Sequence, residues 1–239
     1  MDVRKRIIYI IALFLAGATV ACAKNFVVCV GLSDYPGFGN DLTVSADDAV
    51  YMANLFRRNG DAEVHCLTNR NATVSNVVST MRQTYGRARQ HDTVILFFSG
   101  HGYNGSFRCY DGALAYSKVT DSMKLSAARK RLVFADACMS GSMRTNNRRS
   151  TSRDDVSIMF FLSSRTREPS REVVGLRNSA FTHFLGLGLK GYADKNADRV
   201  ISARELFEYV SKEVISLTRR RQHPVMWGNF NDGMTVMRW

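Results

Sequence analysis

Two kinds of apolar pattern alternate along the chain. Phe26–Leu32, Thr93–Phe98, Arg131–Ala135 and Ile158–Leu162 are near-continuous apolar runs, and Ala62–Leu67 is a further strand-like segment. Runs of this length flanked by turn residues, such as Ser33-Asp34-Tyr35-Pro36-Gly37 after the first, predict strands buried on both faces. Between them the period changes. Val50, Met52, Ala53, Leu55 and Phe56 recur at helical spacing within 45–58, closed by Asn59-Gly60, and Val74, Val77, Val78, Met81 and Tyr85 form a second such stripe. Two more helices are predicted at Ser179–Leu189 and Ser202–Thr218. Buried strands alternating with amphipathic helices predict an α/β domain with a mostly parallel central sheet flanked by helices. Ligands in such sheets bind beyond the carboxyl ends of the strands.

Composition narrows this picture. With 239 residues, 45% of them hydrophobic and 23% charged, the chain can bury a core, which excludes global disorder. Five cysteines are too sparse and odd in number for a disulfide-stapled mini-fold. No repeat or low-complexity tract is visible, so one domain is the economical reading. The net charge of +12 calls for an anionic partner or another origin.

Part of that charge sits in an address. Arg4-Lys5-Arg6 precedes an apolar stretch from Ile7 to Ala18, and Ala21-Cys22-Ala23 supplies a small-x-small site. This order is that of a secretory signal over 1–23, cleaved before Lys24. The domain is then expected over 24–239 and the protein is expected to be exported, periplasmic or secreted. The stretch is shorter than the roughly 20 residues of a span, so no stable membrane span is expected in the mature form. A lipid-bearing Cys22 is the alternative, against which Thr19-Val20-Ala21 makes a poor lipobox. Cleavage removes three bases and one acid, taking +12 to +10, and leaves Cys29, Cys66, Cys109 and Cys138.

Two polar sequences fall at strand ends: Ser99-Gly100-His101-Gly102 and Asp136-Ala137-Cys138-Met139-Ser140-Gly141. A thiol attacks a carbonyl as its thiolate, so a nucleophilic Cys needs an imidazole nearby and donors for the oxyanion. A His flanked by glycines and a Cys followed by Ser-Gly, at matching ends of two strands, meet that need. Gly100 and Gly102 would let the backbone approach the reacting carbonyl, and the amides of Gly102 and Cys138 would point at the oxyanion. Taken singly, His101 reads as a satisfied loop histidine and Cys138 as a small buried hydrophobe. Their joint placement favours chemistry.

These segments resemble caspase-like cysteine peptidases, specifically the bacterial metacaspase-like group. The likeness is carried by Leu96–Gly102, by Val133–Gly141, by Phe181-Thr182-His183-Phe184-Leu185 with Gly188–Gly191, and by Ala193–Ser202 with Glu205–Val210. It runs in order from about Phe26 to Thr218. The resemblance implies a caspase-like single domain, His101 as general base and acid, Cys138 as nucleophile, and peptide hydrolysis through a thioester. It matches Asp136 to the family's acid in the pocket for the residue before the scissile bond. Asp48 matches the second acid, with Asp47 as the neighbour that could be confused with it. Two carboxylates favour a guanidinium, so polypeptides with Arg or Lys before the scissile bond are the expected substrates. Asp48 also reads as a helix-start acid complementing the macrodipole. The chain departs from the family at Met139, where His is usual.

Asp194, Asn196, Asp198 and Glu205 occupy oxygen positions of a calcium-loop frame, but Arg199 stands where Gly makes the sharp turn. Ser202-Ala203-Arg204-Glu205 is equally a capping box opening the next helix. No cofactor is required by the dyad chemistry, and calcium stands as the minority reading. The polar stretch Ser142–Arg153 contains Arg144, Arg148, Arg149 and Arg153, which reads either as a solvated loop or as a self-cleavage segment for an enzyme that prefers basic residues. A different class of function is a catalytically silent caspase-like scaffold or a basic binding module using Arg129-Lys130-Arg131 and Arg219-Arg220-Arg221. Those clusters lack interleaved aromatics or a groove-reading helix, so no nucleic acid is expected.

Overall fold

The computed structural model describes residues 23–137, 158–165 and 175–239. Residues 1–22 of the predicted signal, Cys22 among them, the residues Cys138, Met139, Ser140 and Gly141, and the stretch Ser142–Arg153 lie outside the described residues. In chain order the strands are β1 (Asn25–Gly31), β2 (Ala62–Thr68), β3 (Thr93–Gly100), β4 (Gly102–Tyr103), β5 (Ser106–Arg108), β6 (Ala113–Ala115), β7 (Lys130–Ala137), β8 (Ile158–Leu162), β9 (Val200–Ser202), β10 (Val225–Gly228) and β11 (Thr235–Arg238). The helices are α1 (Ser45–Arg58), α2 (Val74–Tyr85), α3 (Tyr116–Lys124), α4 (Ala180–Leu187) and α5 (Ala203–Leu217).

The central sheet has six strands in the order β10-β8-β7-β3-β1-β2. Every pairing in it is parallel except β8–β10. The expected α/β architecture, a mostly parallel sheet flanked by helices, is the observed one.

Strand alternation divides the core in two. Val28, Val30, Leu96, Phe98 and Val133 face α2 and α3 and pack with Val77, Met81, Tyr85, Val119 and Met123. Val27, Cys29, Ile95, Phe97, Leu132 and Phe134 face the other way, onto Met52 and Phe56 of α1, Phe181 and Leu185 of α4, and Leu206 and Val210 of α5. Burial on both faces explains why these strands read as continuous apolar runs rather than as alternation.

Differences from expectation have local causes. Strands β3 and β7 each run two residues past the apolar run, so Ser99-Gly100 and Asp136-Ala137 are the last rungs of the ladder and not part of the loops beyond it. The antiparallel three-stranded meander β4-β5-β6 and helix α3 fill the chain between His101 and Lys130; strands of two or three residues are too short to carry a period. Helix α4 is shorter than predicted and gives way to a wide turn at Gly188–Tyr192. Helix α5 opens with the expected capping box: Glu205 N–H donates to Ser202 Oγ (3.3 Å) and Ser202 N–H to Glu205 Oε2 (3.0 Å).

Two further sequence features find a place in the core. Cys29 and Cys66 are register partners on β1 and β2, and both are free thiols. Arg131 is not part of a basic surface. It is buried, with its guanidinium donating to Met123 O (2.9 Å) and Ser126 O (2.7 Å) at the end of α3. Among the described residues no helix is long and apolar enough to cross a membrane.

Candidate active site

The carboxyl ends of β3 and β7 lie side by side. Their parallel register pairs Ser99 with Asp136 and Gly100 with Ala137. His101 follows Gly100 at once, and one peptide bond separates Ala137 from Cys138, the first residue of a segment outside the described residues. Alternation turns Ser99 and Asp136 toward the face covered by α1 and α4, as it does Phe97 and Phe134.

Helix α1 can reach this corner because of Gly31 at the end of β1. A Cβ there would lie 2.3 Å from Ser45 O and 2.6 Å from the Ala49 methyl. The close approach brings the first turn of α1 onto the strand ends. Asp48 is then fully buried, while Asp47 is exposed, so Asp48 is the acid of the pair that faces Asp136. Its carboxylate does not serve its own helix start. It accepts from Ser99 Oγ (2.9 Å), Asn178 Nδ2 (2.8 Å) and Ser179 N (3.2 Å).

Asp136 is 3% exposed. Its Oδ2 accepts from Ser179 Oγ, from Thr182 Oγ1 (2.9 Å) and from Thr182 N (3.3 Å). Ser179 is also the N-cap of α4, its hydroxyl accepting from Thr182 N (3.3 Å), so one helix start anchors both carboxylates. Burial, and then the nearby Asp136 charge, push Asp48 from an ordinary 3.8 up to about 7, against the opposing pull of Asn178, Ser99 and Ser179.

His101 is held by the loop after β1. Its Nε2 is 2.7 Å from Asn40 O. A carbonyl only accepts, so Nε2 carries the proton and Nδ1 keeps its lone pair in the neutral ring. The His101 main-chain N–H donates to Tyr35 Oη (2.9 Å), and the Tyr35 ring lies 4.8 Å from the imidazole, tilted by 43°. Gly100 also has a more specific part than expected: a Cβ there would lie 2.5 Å from Tyr35 Oη, so the glycine makes room for this hydroxyl. Gly102 is buried at the start of β4, paired with Phe107.

The other acidic group lies apart, in the turn before β9. Asp194 accepts from Asp198 N (3.3 Å) and Arg199 N (2.9 Å), Asn196 Oδ1 from Asp198 N (3.1 Å), Asp198 Oδ1 from Val200 N (2.8 Å), and Glu205 Oε1 from Lys195 N (3.3 Å). These oxygens knit the turn together and serve the capping box. Among the described residues, no three or more His, Cys, Asp or Glu side chains gather as a metal-holding group.

The sequence pointed to His101, Asp48 and Asp136, and the fold brings the two acids together beneath the end of β3. It gave no role to Asn178, to Ser179, which read only as a helix start, or to Thr182, which stood in a family-like segment without a partner, nor to Asn40 or to Tyr35, which read only as part of a loop. Ser99 was part of a motif, without a partner.

The fold has known relatives. Caspase-1 from Spodoptera frugiperda superposes with a TM-score of 0.66 at 14% identity, covering 86% of this chain and 86% of its own. A crystal structure of a Geobacter sulfurreducens protein does so with a TM-score of 0.64 at 19% identity, covering 86% of this chain and 93% of its own. At these identities the likeness is one of fold. No curated protein matches the sequence significantly. The caspase domain model, in contrast, matches residues 24–232, nearly all of the region after the predicted signal. By that match the chain belongs to the caspase domain family of cysteine peptidases.

Proposed function

We propose that the chain is an exported cysteine endopeptidase that cleaves polypeptides after Arg or Lys, with His101 as general base and acid and Cys138 as nucleophile. One observation carries the reading: the parallel register of β3 and β7 pairs Gly100 with Ala137, the residues that immediately precede His101 and Cys138 in the chain. The proton accounting closes without a cofactor. Nδ1 of the neutral His101 takes the thiol proton, and the thiolate adds to the scissile carbonyl. The oxyanion is met by main-chain N–H groups, with Gly102 the expected donor. The imidazolium gives its proton to the departing amine, leaving a thioester. Water, deprotonated by the same nitrogen, then releases the acid and restores the thiol. Asn40 O holds the tautomer that this sequence of transfers needs.

Asp48 and Asp136 form the basic-residue pocket in this reading. Two buried carboxylates repel one another, and a guanidinium or ammonium beside them relieves that repulsion. Export follows from the signal over 1–23. Lys24 is already tied into the fold, its N–H donating to Asp92 Oδ1 (2.9 Å) and its carbonyl accepting from Thr93 N (2.9 Å), so cleavage before it leaves the ordered domain whole.

The test is hydrolysis of paired fluorogenic peptides ending in Arg or Asp, with and without added calcium, by wild type and by Cys138→Ala and His101→Ala. Turnover of the Arg peptide lost in both variants is expected. No turnover of either peptide, with Cys138 as slow to alkylate as a free cysteine, sinks the enzyme reading in favour of a silent scaffold.

A further inference from the structure

We propose that Tyr35 is a positioning residue for the His101 imidazole, an assignment that rests on the reading of His101 as the general base. Three contacts converge on that histidine from the loop between β1 and α1. Asn40 O accepts a hydrogen bond from Nε2–H at 2.7 Å. The Tyr35 ring packs beside the imidazole with centroids 4.8 Å apart, and Tyr35 Oη accepts the His101 main-chain N–H at 2.9 Å. The hydroxyl spends its own proton on Arg108 O at 3.3 Å. It thereby links the strand end before the imidazole to the meander after it.

Tyr35 is itself held firmly. It is 3% exposed, its N–H donates to Asp41 Oδ1 (2.9 Å), and the Arg108 guanidinium lies 5.0 Å from its ring centroid. Burial raises its phenol well above the usual range, so the hydroxyl keeps its proton throughout the working pH and does not act as an acid or base. Its part is geometric. The nitrogen that receives the thiol proton must face the thiol within hydrogen-bond reach, and small misplacements of such groups are costly in rate. The three contacts restrain the His101 backbone, one side of its ring and its Nε2 end, and so limit how far the imidazole can turn.

Tyr35→Phe removes one oxygen and keeps the ring. The expected result is a fall in kcat of about tenfold, the loss of one modest orienting interaction, with KM for an Arg peptide unchanged. Alkylation of Cys138 at neutral pH should slow in parallel, with its pH dependence moved toward that of a free thiol. Tyr85→Phe is the matched control: Tyr85 is fully buried and its Oη donates to Ile95 O (2.8 Å) on the same strand β3, away from His101. That variant should lose comparable thermal stability and keep kcat. Asp41→Ala, at an exposed position that anchors Tyr35 N–H, provides a second variant without a buried change and should lower kcat by about threefold with KM unchanged.

Wild-type kcat and alkylation rates in Tyr35→Phe overturn the proposal alone, as does an equal loss in Tyr85→Phe. A wild-type protein that neither hydrolyses peptides nor shows raised Cys138 reactivity overturns the dyad reading and this proposal with it.

Discussion

Asp48 and Asp136 are joined through a single residue, Ser179, whose N–H donates to Asp48 Oδ1 (3.2 Å) while its hydroxyl donates to Asp136 Oδ2. The bridge holds two like charges together in a buried site, and the cost appears as a raised Asp48. Folded Asp48 keeps its proton up to about 7, whereas the unfolded chain releases it near 3.8. The stability this group contributes is therefore fully present below the unfolded value and is lost as pH rises through the folded one. In Asp48→Asn the decline between those limits should shrink, and above pH 7 the variant should melt higher than wild type. Thermal melts across that range decide the point; an unchanged slope would sink it.

The same pair should govern substrate choice. A cationic side chain favours the doubly ionised pocket, so KM for an Arg peptide should fall between pH 6 and 8 while Cys138 alkylation does not follow the same curve. Asp136→Asn should lower kcat/KM for Arg peptides by about a hundredfold, the scale of a charge-assisted pair of hydrogen bonds. Thr182→Val, which removes one donor to Asp136, should cost about tenfold, mostly in KM. A variant of Asp136 that still prefers Arg over Asp peptides as strongly as wild type removes the acid from the pocket.

Arg131 should matter for stability and not for polyanion binding. Its guanidinium satisfies two carbonyls at the end of α3 from within the core. Truncation leaves them unpaired in a buried place, so Arg131→Ala should destabilise by about 2–4 kcal/mol. Equal denaturant midpoints for variant and wild type would contradict this role.

Self-processing has a direct readout. If the pocket accepts Arg, the arginines of Ser142–Arg153, a few residues after Cys138 in the chain, are candidate cleavage sites. Mass spectrometry of purified wild type should show a cut within 142–154 that is absent from Cys138→Ala. An active wild-type enzyme with that segment intact argues for a solvated loop.

The parallel sheet was legible because β1, β3, β7 and β8 are buried on both faces, which writes them as uninterrupted apolar runs. Helices α1, α2 and α5 carried their period, and α1 and α5 also their ends, down to the Ser202–Glu205 cap. The meander β4–β6 was not legible, because such short strands have no period to read. For the site, the glycines around His101 and the polar sequences at two strand ends stood out locally, while the roles of Asp136 and Asp48 came from the family resemblance. Asn178, Ser179 and Thr182 could not be found this way. They serve Asp48 and Asp136 only once α4 packs against the end of β7, and although Thr182 stood in a family-like segment, nothing local to any of the three names a carboxylate as its partner. Tyr35 is hidden for the same reason: its partner His101 lies beyond two intervening helices and two strands.

The gap that Gly100 leaves for the Tyr35 hydroxyl has an evolutionary reading. Positions 35 and 100 constrain each other across the fold, since a methyl at 100 and an oxygen on the ring of 35 compete for one small volume. Among divergent relatives, a side chain larger than hydrogen at 100 should be found only together with a residue at 35 that lacks the hydroxyl, whereas glycine at 100 tolerates either.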